Sequence, residues 1–346
     1  KESSAASDVY KRQMLQYLII LLDDTSVSYC HYQNDKVKHN LIPIDVLKDG
    51  IKYAMLENLT IQFVYPEYSL PEEYNDIIDT IDHCKIVPST SIDSKLRNEA
   101  DVVVFSDWTG MQFYPFIQGQ SYILRTSKLD FFDRFLFLKD VLSKVSRLNV
   151  VLTDIETFDE QDFKKYEEIL TSLSSIVEQM FVDGKSPQLN LLTDRMVLSE
   201  MNNCNAGENN ITLAPDGKFY VCPAFYNLPT IDGHERTMGD ICNKGYNIGN
   251  IYDGLDIKNP QLYKLAYAPI CRNCDAYQCK RCILLNRKMT YEVNTPSHEQ
   301  CVVAHLERNA SRKLLNSIRK HGSFLTEQEG IKEIDYIDPF EKRDEW

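Results

Sequence analysis

Neither a long apolar run nor an excess of basic charge is found in this chain. The longest early apolar stretch, Tyr17 to Leu22, is too short to cross a bilayer, which takes about 20 residues. It also lacks the basic start and small-residue cleavage site of a secretory signal, so a cytoplasmic location is expected. Lysine and arginine number 38 against 51 aspartates and glutamates, a net charge of −13. That balance argues against nucleic acid or an anionic membrane as partner, because phosphate recognition needs a basic face. No Gly-rich phosphate loop and nothing like a Ser/His/Asp triad is evident. No internal repeat or low-complexity segment is evident either.

What is abundant is clustered thiol. Eight of the ten cysteines fall between Cys204 and Cys301, and four of them lie in Cys271-Arg-Asn-Cys274-Asp-Ala-Tyr-Gln-Cys279-Lys-Arg-Cys282. In a reducing compartment such a cluster points to metal ligands rather than disulfides. With 346 residues, 43% hydrophobic and 26% charged, the chain is globular, long enough for an enzyme, and expected to divide into two domains. Residues 1–13 are expected to be a non-native leader, since Asp8 to Gln13 resembles translated adapter sequence and Met14 is the expected native start.

From Met14 to about residue 200 short apolar runs alternate with amphipathic stretches. Strands are expected at Tyr17 to Leu22, Thr60 to Tyr65, Lys85 to Pro88, Asp101 to Phe105, Tyr122 to Arg125, Asn149 to Asp154 and Leu189 to Leu192. Helices are expected at Ile42 to Glu57 (apolar Val46, Leu47, Ile51 and Met55), Ser127 to Arg147 (Phe132, Phe135, Leu136, Leu142 and Val145) and Asp159 to Phe181 (Phe163, Tyr166, Leu170, Leu173 and Val177). The fold class is therefore α/β, a partial (β/α) barrel of about six units, although a doubly wound sheet has the same sequence signature. In such folds the chemistry sits in loops at the C-terminal ends of strands. The first two of these are Asp23-Asp24-Thr25-Ser26-Val27-Ser28-Tyr29-Cys30-His31-Tyr32 and Tyr65-Pro66-Glu67-Tyr68.

Past residue 200 the composition shifts to cysteine, glycine and asparagine. Ile211 to Cys222 is expected to be a hairpin around Pro215-Asp216-Gly217, where proline presets φ and glycine accepts a positive φ; it delivers Cys222 at its end. The spacing runs Cys204-x12-Gly217-x4-Cys222, then Cys271-x2-Cys274-x4-Cys279-x2-Cys282, then Cys301. Two Cys-x2-Cys pairs also fit zinc held by four thiolates, with His298 or His305 as a further ligand of a second zinc.

This order of seven thiols resembles the SPASM domain of radical S-adenosylmethionine peptide maturases, differing by one residue in each of two intervals, x4 for x5 and x2 for x3. The two strand-end loops resemble worn radical S-adenosylmethionine motifs. Asp23, Val27 and Cys30 stand at the three cluster-cysteine positions, and Glu67 remains of the Gly-Gly-Glu-Pro signature. Within that superfamily the chain is most similar to the CXXX repeat peptide maturases.

The resemblance implies a SPASM-like Cys-rich domain over 201–315 after a radical-SAM-like domain over 14–200, with 316–346 an acidic C-terminal tail. It implies one or two auxiliary [4Fe-4S] clusters: Cys271, Cys274, Cys279 and Cys301 on one, Cys204, Cys222 and Cys282 on the other. Cys242 is either the missing fourth ligand or a buried free cysteine. The implied role is post-translational modification of a ribosomally made, cysteine-repeat precursor peptide (RiPP), with a complete radical enzyme as partner. One thiolate cannot retain a cluster that needs three, so S-adenosylmethionine cleavage by this chain alone is not expected; activity through an unusual ligand set around Cys30 is the remaining catalytic option. A zinc-stabilised binding or scaffold protein is the alternative. Lys280, Arg281, Arg287 and Lys288 would put positive charge beside anionic clusters or lie on the surface, and Asp154 and Glu156 are cleft carboxylates or solvated loop acids.

Overall fold

The computed structural model describes residues 15–201, 204–227 and 247–322. Cys242 and the segment after Gly322 lie outside the described residues. Two compact units are formed, each from two stretches of chain. One runs to Val104 and resumes from Asn205 to Tyr267; the other runs from Phe105 to Cys204 and resumes at Ala268.

In the first unit β1 (Tyr17–Leu21), β2 (Thr60–Val64), β3 (His83–Pro88) and β4 (Val102–Phe105) pair in parallel and in sequence order, with Tyr17 opposite Thr60 and Ile61 opposite His83. No reversal of order interrupts this run of four parallel strands. Leu18 to Leu21 are all buried, as a parallel strand covered on both faces requires. Helix α1 (Ile44–Glu57) buries Val46, Leu47, Gly50, Ile51 and Ala54 at helical spacing and ends on Asn58 in the left-handed conformation, φ 54°. Met55, expected in the core, is 67% exposed, and Ala54 takes the inward position. The shorter helices α2 (Glu72–Ile78) and α3 (Ser94–Glu99) make the next two crossovers.

The expected hairpin is present as β8 (Asn210–Leu213) and β9 (Lys218–Tyr220), antiparallel, with Leu213 opposite Phe219 and Gly217 at φ +74°. Beyond that expectation, β8 pairs in parallel with the other edge of β1, Tyr17 opposite Asn210. Gly50 makes room for it: a Cβ there would meet Leu213 Cδ2 at 2.4 Å. Strands β10 (Asn247–Asn250) and β11 (Gly254–Leu255) extend this edge antiparallel.

In the second unit β5 (Ser121–Thr126), β6 (Arg147–Leu152) and β7 (Gln188–Leu189) are parallel neighbours. The helix expected from Ser127 to Arg147 is broken into α4 (Lys128–Arg134), a 3-10 turn and α5 (Leu138–Leu142), and Arg147 already belongs to β6. The break rotates the buried face, so Phe131, Leu138 and Val141 enter the core while Leu136 is 62% exposed. Helix α6 (Glu160–Val182) matches its expectation and opens on a capping box between Asp159 and Asp162. A single turn, α7 (Asp194–Val197), follows β7. The long helix α10 (His298–His321) packs along α6, and the Tyr166 hydroxyl donates to Glu307 Oε1 at 2.8 Å. No helix among the described residues is long and apolar enough to cross a membrane.

Candidate metal centre and the first strand-end loop

The loop after β1 is filled by its own side chains. Asp23 is fully buried; its Oδ1 accepts from the Thr25 backbone N–H at 2.8 Å and from the Thr25 hydroxyl, and its Oδ2 accepts from the Tyr68 hydroxyl at 2.8 Å. His39 Nδ1 stands 3.6 Å from Oδ1. Val27 is buried and its N–H donates to Tyr65 O at 3.0 Å, while Ser26 Oγ donates to Val64 O at 2.8 Å. Cys30 is half-buried. Glu67, on the exposed side of the next loop, accepts from Thr90 Oγ1 at 2.7 Å. A three-thiol cluster does not fit these residues: the carboxylate is committed to protein donors, valine has no ligand atom, and one thiol is left.

Asp24 is engaged in the same way, accepting from the Tyr226 hydroxyl. Lys36 Nζ lies 3.8 Å from Asp24 Oδ1 and 3.2 Å from the centre of the Tyr226 ring.

The second unit gathers the clustered thiols. Cys271, Cys274, Cys279 and Cys301 line one cavity together with Arg281 and His305, walled by Met201, Ile270 and Pro296. Each ligand position has a local cause. Cys271 opens a short 3-10 turn, Cys271–Asn273, that closes on Cys274; Arg281 takes a left-handed φ of 44°, turning the chain between Cys279 and Cys282. Cys301 sits in the first turn of α10 behind the N-cap Ser297. Backbone N–H groups of Ala276 and Arg281 approach the sulfurs of Cys274 and Cys279, each at 3.4 Å.

Burial pushes the Cys271 thiol up to about 11, opposed by the Arg281 guanidinium. Cys279 is raised well above its ordinary value by burial and then by the neighbouring Cys271, Cys301 and Cys274. For Cys271 and Cys279 burial and the neighbouring sulfurs both oppose ionisation; a bound cation would reverse that balance. An iron–sulfur cluster fits this donor set, four thiols around a common space. Among the described residues no group of three or more His, Cys, Asp or Glu side chains is drawn together as tightly as a bound ion would hold them.

The loop is held from outside by groups without a sequence signature. Asp275 accepts from Arg308 at 2.9 Å and lies 3.8 Å from Arg195, all three buried, and Arg195 stacks over Tyr277 at 4.1 Å. Gln278 Nε2 donates to Ala304 O at 2.6 Å. Gln300 Oε1 accepts the Cys282 N–H at 2.7 Å, and its Nε2 donates to Asn286 Oδ1 at 2.7 Å. Only the residue types flanking the cysteines were visible beforehand; these partners come from more distant sequence.

The remaining candidates divide. Cys282 precedes α9 (Ile283–Thr290), its thiol pushed up to about 12 by burial, with Cys204 a further cause. Cys222 belongs to the first unit, ahead of α8 (Pro223–Asn227). His298 packs edge-on against Phe163 with centres 6.0 Å apart and is not among the residues lining the thiol cavity. Asp154 accepts from the Lys128 N–H at 2.8 Å and Glu156 pairs with Lys288, which gives both structural work.

No family model matches the sequence, and no curated protein matches it. Among solved structures, native anSMEcpe with bound AdoMet superposes with a TM-score of 0.59 at 14% identity, over 88% of this chain and 99% of that one. The chain has the fold of anSMEcpe. Native anSMEcpe with bound AdoMet and Cp18Cys peptide gives 0.57 at 14%, over 88% and 99%. Streptococcus suis SuiB bound to precursor peptide SuiA gives 0.44 at 10%, over 80% and 73%. What this chain shares with anSMEcpe is a mixed α/β architecture, here with parallel strand pairing in each unit.

Proposed function

We propose that this chain acts in the post-translational modification of a ribosomally made, cysteine-repeat peptide, as a SPASM-type iron–sulfur component working beside a complete radical enzyme. The observation that carries the reading is the convergence of Cys271, Cys274, Cys279 and Cys301 on one cavity, in a chain with the fold of anSMEcpe, which is itself described with bound AdoMet and peptide. In that role the four thiols hold an auxiliary cluster, which supplies electron storage when bound. Cys204, Cys222 and Cys282 are the candidate ligands of a second cluster. Arg281 offsets the negative charge of the ligand set, and the Asp275, Arg195 and Arg308 group keeps the Cys274 loop in place.

Radical initiation is assigned to the partner, because Asp23 and Val27 have replaced the thiols that S-adenosylmethionine cleavage requires. Anaerobic reconstitution followed by a cleavage assay tests this assignment. The chain alone is expected to form no 5′-deoxyadenosine from S-adenosylmethionine and dithionite, and formation at enzymatic rates overturns it. A zinc-stabilised scaffold without redox activity is the second reading. It is favoured by His305 beside Cys274, an additional nitrogen donor of the kind zinc takes.

A further inference from the structure

Cys301 and His305 are one turn apart on α10, so both side chains leave the same face of the helix, and both line the thiol cavity. His305 is buried, and its Nε2 lies 3.4 Å from Cys274 Sγ. The Ala276 N–H reaches the same sulfur at 3.4 Å. The helix is fixed at this level: Gln278, directly before Cys279, donates from Nε2 to the carbonyl of Ala304, directly before His305, at 2.6 Å. The imidazole and the Cys274 loop therefore keep their spacing.

A neutral thiol is a weak acceptor, whereas a metal-bound thiolate is negative and accepts strongly. Four thiols already provide the four protein ligands that a four-iron cluster takes, which leaves the imidazole nitrogen facing a ligand sulfur rather than an open iron. We propose that His305, as the Nε2–H tautomer, donates a hydrogen bond to the Cys274 thiolate and is a positioning residue of the centre, not one of its ligands. The inference rests on the iron–sulfur reading given above. Together with the Ala276 N–H it places two donors on one ligand sulfur. Such bonds draw charge from the ligand and favour the more negative, reduced state, so they raise the reduction potential.

The test uses the full chain reconstituted without oxygen, as wild type, His305→Phe, the smaller His305→Ala, and His305→Gln, which keeps an N–H. A lower midpoint potential in the Phe and Ala variants, at unchanged iron and acid-labile sulfide per chain and with partial recovery in the Gln variant, is expected. An unchanged potential in whichever of the Phe and Ala variants folds overturns the proposal. Loss of iron and sulfide from the folded variants overturns it as well, since His305 would then be a ligand. Wild-type protein that holds neither iron nor sulfide instead fails the reading beneath it. The hydrogen bond is then decided in cobalt-loaded protein: a thiolate-to-cobalt absorption band that shifts at equal intensity in the Phe or Ala variant supports donation, and an unmoved band contradicts it.

Discussion

The Tyr68 hydroxyl donates to Asp23 Oδ2 at 2.8 Å, fastening the loop after the second strand to a fully buried carboxylate in the loop after the first. Tyr68→Phe withdraws one donor from a buried charge and is expected to lower stability by about 1–3 kcal/mol. Urea unfolding of the two proteins reads the difference, and equal midpoints would show that the bond contributes nothing.

Asp275 neutralises two buried arginines, Arg195 and Arg308. Asp275→Asn keeps the shape and removes the negative charge that both guanidinium groups face. A loss of about 3–5 kcal/mol is expected, the usual cost of breaking a buried pair from one side. The conservative Asp275→Glu is expected to lose less, and thermal unfolding of both variants compares them.

Glu307 is enclosed between Tyr166 and Gln278, and burial pushes its carboxyl up to about 7 against those two hydrogen bonds. The folded value lies above the unfolded one, so the group stabilises the fold below about pH 4.5, and that contribution is lost as pH rises through about 7. A shift from 4.5 to about 7 corresponds to a loss on the order of 3 kcal/mol. Glu307→Gln removes it, so the variant is expected to show a flatter stability profile than wild type between about pH 5 and pH 8. Parallel profiles in denaturant titrations would contradict the assignment.

Much of the framework was legible in local pattern. Periodicity gave α6 nearly to the residue because its apolar positions repeat without interruption, and the Pro215-Asp216-Gly217 turn gave the hairpin. Three features were not legible. The 127–147 segment is uniformly apolar enough for one helix, and the 3-10 turn that breaks it depends on packing. The parallel pairing of β8 with β1 joins residues far apart in the chain, Tyr17 with Asn210. At the site, cysteine spacing named the four thiols that line one cavity, whereas Gln278, Gln300 and Asp275 support them through partners that no motif encodes.

The central claim is that the Cys271, Cys274, Cys279 and Cys301 set holds an iron–sulfur cluster. Iron and acid-labile sulfide should be measured in full-length protein purified without oxygen, beside a Cys271→Ser, Cys274→Ser double variant. The account predicts both elements in the wild type and a clear drop of both in the folded variant. Colourless wild-type protein, loaded with zinc and free of sulfide, would contradict it.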